Sequence, residues 1–350
     1  MDPHLIELPR LIIIGNNVLE KLPEVCRELG AGKDVLVLCD SNTKAIAGEK
    51  ASQSMGNAAI DIVADSSSAE VDRIAAGHKP SLIAAAGGGK VIDVAKMVAY
   101  RREIPFISIP TAPSHDGIAS ERASISGIDG NKYSLRAKPP AAIMADIGIL
   151  SSAPYRLIAS GAADVISNYT AVKDWRLAHK AGGEYYSEYA ASLSMLSSKI
   201  VIKSAQMIRA LEERGMRNLV EALVSSGISM SMAGSSRPAS GSEHSFSHAL
   251  DAALSKPENA SGARPGLHGE QCGLGSILMA CHQGIDWELV RDSLKLLGAP
   301  TTAEELGLSS EHVIRALVEA RGVRKRFTIL DARPLDRKKA EALCGKTGVC

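Results

Sequence analysis

Leu82-Ile-Ala-Ala-Ala-Gly-Gly-Gly-Lys-Val-Ile-Asp-Val-Ala-Lys96 decides the fold. Its first five residues form a short apolar run, as expected of a strand buried on both faces. Three glycines follow, and a helical pattern begins after them. This order brings backbone N–H groups to a helix N-terminus, which carries about half a positive charge. The geometry suits the pyrophosphate of a dinucleotide. The spacing is not G-x-G-x-x-G, however, and a tight turn that binds nothing would use the same glycines.

Working outward, residues 35–40, 60–63, 82–86 and 105–110 read as buried strands, with helices at 68–77 and 90–102. Such alternation predicts a parallel sheet covered on both faces. From about residue 153 the period changes to 3.6 residues, over 155–180, 187–214, 216–233, 242–255, 268–284 and 287–298. The expected architecture is an α/β Rossmann-like domain at 1–152 followed by an all-α domain at 153–350. The change falls at Ser151-Ser-Ala-Pro154.

Composition narrows the function. Lys and Arg total 40 against 39 Asp and Glu, which leaves no basic field for nucleic acid or an anionic membrane. No apolar run approaches the roughly 18 residues of a membrane span, and no signal peptide is expected. The six cysteines include no C-x-x-C pair, as expected of reduced thiols in a cytoplasmic protein. Aromatic residues are only 3%, so the cores must be built from aliphatic side chains. The expected partner is a small molecule, and the chain is expected to form a homo-oligomer.

Chemistry-bearing residues gather at four places. Asp40 ends an early strand, where a carboxylate can meet a ribose hydroxyl or simply hold a turn. Pro110-Thr-Ala-Pro-Ser-His-Asp-Gly117 follows a strand's carboxyl end, where open α/β sheets bind ligands; it also reads as a Ser/Asp-stabilised turn. Asp164 lies in an apolar helical stretch, where a carboxylate is costly unless paired or bound to metal. His244 and His248 are four apart and share a helix face, with His268 further on. The pair can hold a metal, or supply one ligand and one proton-handling group. Asp164, His244 and His268 together would give three ligands and an open position, although each alone is more often structural. Cys272, four after His268, can be a soft ligand but reads first as a small buried hydrophobe. The histidines at 4, 78, 115, 179, 282 and 312 read as surface or structural.

Six motifs then carry a resemblance. They are Gly87-Gly-Gly-Lys-Val-Ile-Asp93, Thr111-Ala-Pro-Ser-His-Asp-Gly117, Gly161-Ala-Ala-Asp-Val-Ile-Ser-Asn168, Tyr169-Thr-Ala-Val-Lys-Asp-Trp175, Gly241-Ser-Glu-His-Ser-Phe-Ser-His248 and His268-Gly-Glu-Gln271. In this order, over about residues 10–330, they resemble the archaeal-type sn-glycerol-1-phosphate dehydrogenases. That family stands beside glycerol dehydrogenase, iron-type alcohol dehydrogenases and 3-dehydroquinate synthase. The resemblance implies a dehydroquinate synthase-like fold with its site in the cleft between two domains. It also implies NAD(P) contacts from Gly89, Lys90, Val91, Ile92, Asp93, Thr111, Ala112, Pro113, Ser114 and Ser120. Zinc would be held by Asp164, His244 and His268. Asp116, Asp164 and His248 would contact substrate and serve catalysis, so the family divides the His pair that spacing leaves undivided.

The implied reaction is reduction of dihydroxyacetone phosphate by NAD(P)H to sn-glycerol 1-phosphate, the backbone of archaeal ether phospholipids. Lys132, Arg136, Lys138 and Arg264 are the basic residues available for the substrate phosphate. The alternatives are a glycerol dehydrogenase-like polyol oxidoreductase, a dehydroquinate synthase-type lyase and a non-catalytic nucleotide sensor. The lyase branch carries a glutamate and a nearby lysine where this chain has Asp164 and Ser167-Asn168. The tail at 335–350 matches no motif.

Overall fold

A computed structural model describes residues 4–31, 34–128, 132–254 and 266–350. The chain divides into two compact units, Met1–Ile158 and Ala159–Cys350. The division falls inside a helix, a few residues beyond the change of pattern at 151–154.

The first unit contains strands β1 (Leu11–Gly15), β2 (Val35–Cys39), β3 (Ala59–Ile62), β4 (Leu82–Gly87), β5 (Phe106–Pro110), β6 (Arg122–Ser126), β7 (Lys132–Arg136) and β8 (Ala142–Asp146). Its helices are α1 (Leu22–Glu28), α2 (Glu49–Ser54), α3 (Ser68–Gly77), α4 (Gly89–Arg102) and α5 (Ile147–Ser151). Six strands form one parallel sheet in the order β1-β8-β5-β4-β2-β3, and β6 pairs with β7 in a separate antiparallel hairpin. From β2 the chain steps outward to β3, then returns to the other side of β2 as β4. The strand order therefore reverses between β2 and β4, where open α/β sheets leave a crevice at the strands' carboxyl ends. Asp40 and the triple glycine lie at those ends.

Close packing sets the glycine turn. A Cβ on Gly87 would meet the Val91 side chain at 2.6 Å, so α4 can fold tightly back onto β4 only from glycine. Behind the turn, Lys96 is fully buried. Its ammonium donates to Asp93 Oδ1 at 3.1 Å and to the carbonyls of Gly117 and Arg122 at 2.6 Å each. Asp93 also accepts from the Ser124 N–H at 3.0 Å. This buried ion pair ties α4 to the 115–124 segment.

The second unit is helical among its described residues: α6 (Tyr155–Gly182), α7 (Glu188–Arg209), α8 (Glu213–Ala233), α9 (Ser242–Leu254), α10 (His268–Gln283), α11 (Trp287–Leu297), α12 (Ser310–Glu319), α13 (Ile329–Ala332) and α14 (Arg337–Thr347). The stretch expected as one helix to residue 214 stops at Arg209. Leu211 takes a left-handed φ of 54° there, and a new helix starts at Glu213. The tail without a recognisable motif forms α14, which packs on α10 and α12. Among the described residues no helix is long and apolar enough to cross a membrane.

Replacing Lys96 by Met should cost roughly 3–5 kcal/mol, because it leaves the buried Asp93 carboxylate without its cation. Chemical denaturation followed by circular dichroism measures this. Tryptophan emission does not report on it, since Trp175 and Trp287 both lie in the second unit.

Candidate metal centre and phosphate cradle

In the second unit, α6, α9 and α10 bring four side chains to one point. Asp164 comes from α6, His244 from α9, and His268 and Cys272 from α10. Their donor atoms all lie within 4.8 Å of one another. Asp164 Oδ1 is 3.9 Å from His244 Nε2 and 3.8 Å from His268 Nε2. Cys272 Sγ is 3.6 Å from His268 Nε2. Two imidazoles, a carboxylate and a thiol at these separations fit a divalent transition-metal ion, and their mixed softness suits zinc.

Glycine makes the approach possible. A Cβ on Gly269 would sit 1.9 Å from the Ser160 carbonyl oxygen of α6. One turn later, a Cβ on Gly273 would lie 3.0 Å from the Ala163 methyl. On the other side of α10, a Cβ on Gly275 would press on the Glu243 backbone of α9 at 3.0 Å. Glycines inside a helix cost stability, and here they are the positions where α10 touches its neighbours.

Orientation comes from residues that the sequence did not single out. Glu243 is fully buried, and its carboxylate lies 3.0 Å from His244 Nδ1. It also accepts from the Gly241 N–H at 2.5 Å and from Thr170 Oγ1 at 2.8 Å. A proton on Nδ1 facing Glu243 leaves the Nε2 lone pair of His244 facing Asp164, the tautomer a metal ligand requires. Burial, reinforced by the charges of His268, Arg324 and Arg326, holds the His244 pKa well below its ordinary value. Asp174 accepts from the Ser242 N–H at 2.7 Å and the Ile329 N–H at 2.8 Å, so one carboxylate caps both α9 and α13. Burial, then the neighbouring Glu243 charge, raises the Asp174 pKa to about 6.

His248 lies one turn after His244, with its ring 6.2 Å from that of His268. Arg324 donates to His248 Nε2 at 2.6 Å and to Ser240 Oγ at 3.1 Å. Burial first, then the Arg324 charge, pushes the His248 pKa down to about 2. Arg326 donates to the Ser240 carbonyl at 2.5 Å and to Ser236 Oγ at 3.0 Å. Its pKa falls to about 9, first through burial and then through Arg324 and Arg237. Two partly desolvated guanidinium groups therefore stand beside the histidines. Of the four basic residues expected for a phosphate, Arg136 pairs with Glu121 at 3.4 Å. Arg264 and the side chain of Lys132 lie outside the described residues, and Lys138 belongs to the first unit.

The first unit holds the cradle. The N-terminus of α4 has no side-chain cap. The Thr111 N–H donates to the Gly87 carbonyl at 3.1 Å, so the β4–β5 pairing lays the loop containing Thr111, Ala112, Pro113 and Ser114 beside the glycine turn. Val91 and Ile92 have fully buried side chains, and the Ile92 N–H is committed to the Gly88 carbonyl at 3.1 Å. The helix start leaves the N–H groups of Gly89, Lys90 and Val91 without intrahelical acceptors, while the Asp93 carboxylate is engaged with Lys96 and Ser124. The Lys90 ammonium lies 3.3 Å from Asp40 Oδ2. Asp40 Oδ1 accepts from the N–H groups of Asn42 and Thr43, so the turn reading of that aspartate is satisfied. Ser120 is buried and faces the backbone of Arg122. His115 is a wedge: a Cβ on Gly89 would strike its ring at 2.2 Å, and one on Gly117 at 2.3 Å. Asp116 follows it in a single 3₁₀ turn, Asp116–Ile118.

Gly269→Ala should displace α10 from α6 and weaken zinc binding at least tenfold, while His244→Ala should abolish stoichiometric zinc. His248→Ala should retain one zinc per chain. Zinc titration of the metal-free proteins separates these outcomes.

The profile of iron-containing alcohol dehydrogenases matches residues 13–154. The chain is 48% identical to glycerol-1-phosphate dehydrogenase [NAD(P)+] of Pyrococcus furiosus, over 99% of both chains. It is also 48% identical to the enzyme of that name from Methanothermobacter thermautotrophicus, over the full length of both. Among solved structures, glycerol dehydrogenase of Schizosaccharomyces pombe superposes with a TM-score of 0.81 at 19% identity, covering 99% of this chain and 91% of that one. A probable glycerol dehydrogenase of Sinorhizobium meliloti gives 0.79 at 20% identity, over 99% of each. At those identities the structural likeness concerns the fold, whereas full-length identity near one half identifies the lineage: the chain belongs to the glycerol-1-phosphate dehydrogenase family.

Proposed function

We propose that this protein reduces dihydroxyacetone phosphate to sn-glycerol 1-phosphate with NAD(P)H, in a zinc-dependent reaction that provides the backbone of ether phospholipids. The full-length relatives are named glycerol-1-phosphate dehydrogenase [NAD(P)+]. One observation favours a phosphorylated substrate over plain dihydroxyacetone or glycerol. Arg324, itself close to Arg326, donates directly to His248 beside the Asp164, His244 and His268 donor set. Desolvated guanidinium groups recognise a phosphate dianion through short charge-assisted bonds.

When bound, the zinc ion supplies Lewis acidity to the substrate's carbonyl oxygen, and the dinucleotide supplies the hydride. Asp164, His244 and His268 would hold the ion, with Asp164 also bordering the substrate. His248 and Asp116 would hydrogen-bond the substrate's oxygens and attend to the proton that the product alcohol gains. In the absence of substrate, His248 accepts at Nε2 from Arg324 and is therefore neutral. The N–H groups of Gly89, Lys90 and Val91 would receive the pyrophosphate, and Thr111, Ala112, Pro113, Ser114 and Ser120 would line the rest of the dinucleotide site. All six cysteines are unpaired, in keeping with a reducing, cytoplasmic setting.

The test is oxidation of NADH and NADPH with dihydroxyacetone phosphate, before and after chelation, with dihydroxyacetone as comparison and the product enantiomer identified. Strong preference for the phosphate and loss of rate on chelation are expected. Equal rates with dihydroxyacetone would point to a polyol oxidoreductase, and turnover without net NAD(P)H change to a lyase. Arg324→Ala should raise the KM for the phosphorylated substrate roughly ten- to a hundredfold, the loss of one or two hydrogen bonds to a charged group. His248→Ala should lower kcat about a hundredfold or more.

A further inference from the structure

We propose that Cys272 is a fourth protein ligand of the metal in the substrate-free enzyme, making the set one sulphur, two nitrogens and one oxygen. This rests on Asp164, His244 and His268 being the metal site. Around a tetrahedral ion with bonds of about 2.0–2.3 Å, neighbouring donor atoms lie roughly 3.3–3.8 Å apart. Asp164 Oδ1 to His268 Nε2 is 3.8 Å, Asp164 Oδ1 to His244 Nε2 is 3.9 Å, and Cys272 Sγ to His268 Nε2 is 3.6 Å. These three separations lie at or just beyond that range, and no donor atom of the four is more than 4.8 Å from another. The widest separation must close by about 1 Å for all four to bind one tetrahedral ion.

The backbone brings Cys272 to the centre. Cys272 follows His268 by four residues and shares its face of α10. Gly269 and Gly273 press that helix onto α6 beside Asp164, which brings the Cys272 backbone close to the carboxylate. The side chain is fully buried. On binding, the S–H proton leaves to solvent as the sulphur–metal bond forms. A thiolate favours zinc, cobalt(II) or cadmium over manganese or magnesium. It also fills the position that catalysis needs open. The substrate's oxygens must then displace the sulphur or add as further ligands.

The test replaces zinc with cobalt(II) in the full-length, substrate-free enzyme and records its absorption spectrum. One cobalt per chain with an intense near-ultraviolet sulphur-to-cobalt charge-transfer band is expected. Cys272→Val should bind one cobalt without the band, and Cys272→Ser, closer in size, covers the case in which the valine variant does not fold. X-ray absorption of the zinc form should show one sulphur neighbour at about 2.3 Å, lost in both variants. Stoichiometric cobalt without the band, or a band that survives in the variants, overturns the assignment of Cys272. Failure of the wild-type protein to bind cobalt at all overturns the metal site itself.

Discussion

Helix α10 lies against α6 at a distance that only glycine permits, and the candidate centre depends on that contact. With 1.9 Å between a Gly269 Cβ and the Ser160 carbonyl oxygen, any side chain there would push His268 away from Asp164. The same approach buries Asp164 almost completely. Burying a carboxylate at such depth costs free energy, and a metal cation beside it would offset that cost. The close packing of the helices and the chemistry of the centre are therefore one constraint seen from two sides. Glu243 extends it, since a single buried carboxylate fixes the His244 tautomer and gathers the Gly241 and Thr170 donors.

In the first unit a comparable constraint acts through strand order. The reversal between β2 and β4 opens the crevice, and the tight β4–α4 turn lays N–H groups along it. Lys96 anchors α4 from behind through three buried acceptors. Asp93 belongs to that anchor. Its carboxylate supports the turn, engaged with Lys96 and the Ser124 N–H.

Much of this was legible in the sequence. Buried strands announce themselves as short apolar runs, and the sequence pattern over 68–77 coincides with helix α3, Ser68–Gly77. The i, i+4 spacing of His244 and His248 is a local fact, as is the lone Asp164 in an apolar helix. What escaped is long-range. Arg324 stands 76 positions from His248, and only the folded chain shows them hydrogen-bonded. Glu243 and Asp174 look like ordinary helix acids until their burial is known. Cys272 reads from sequence as a small buried hydrophobe or a soft ligand, and its burial is found in the fold, as are the donors near it from three helices. The interruption at Leu211 left no glycine to betray it. The glycines of α10 were a visible signal, since helix-interior glycine often marks close approach of another backbone.

The central claim is that Asp164, His244 and His268 hold one metal ion. Anomalous diffraction at the zinc edge, from crystals of the zinc-loaded protein, tests it most directly. The account predicts one strong anomalous peak per chain, within bonding distance of an Asp164 carboxylate oxygen and of Nε2 of both His244 and His268. A zinc-loaded crystal with no peak at those three residues, or with its peak elsewhere, would contradict it.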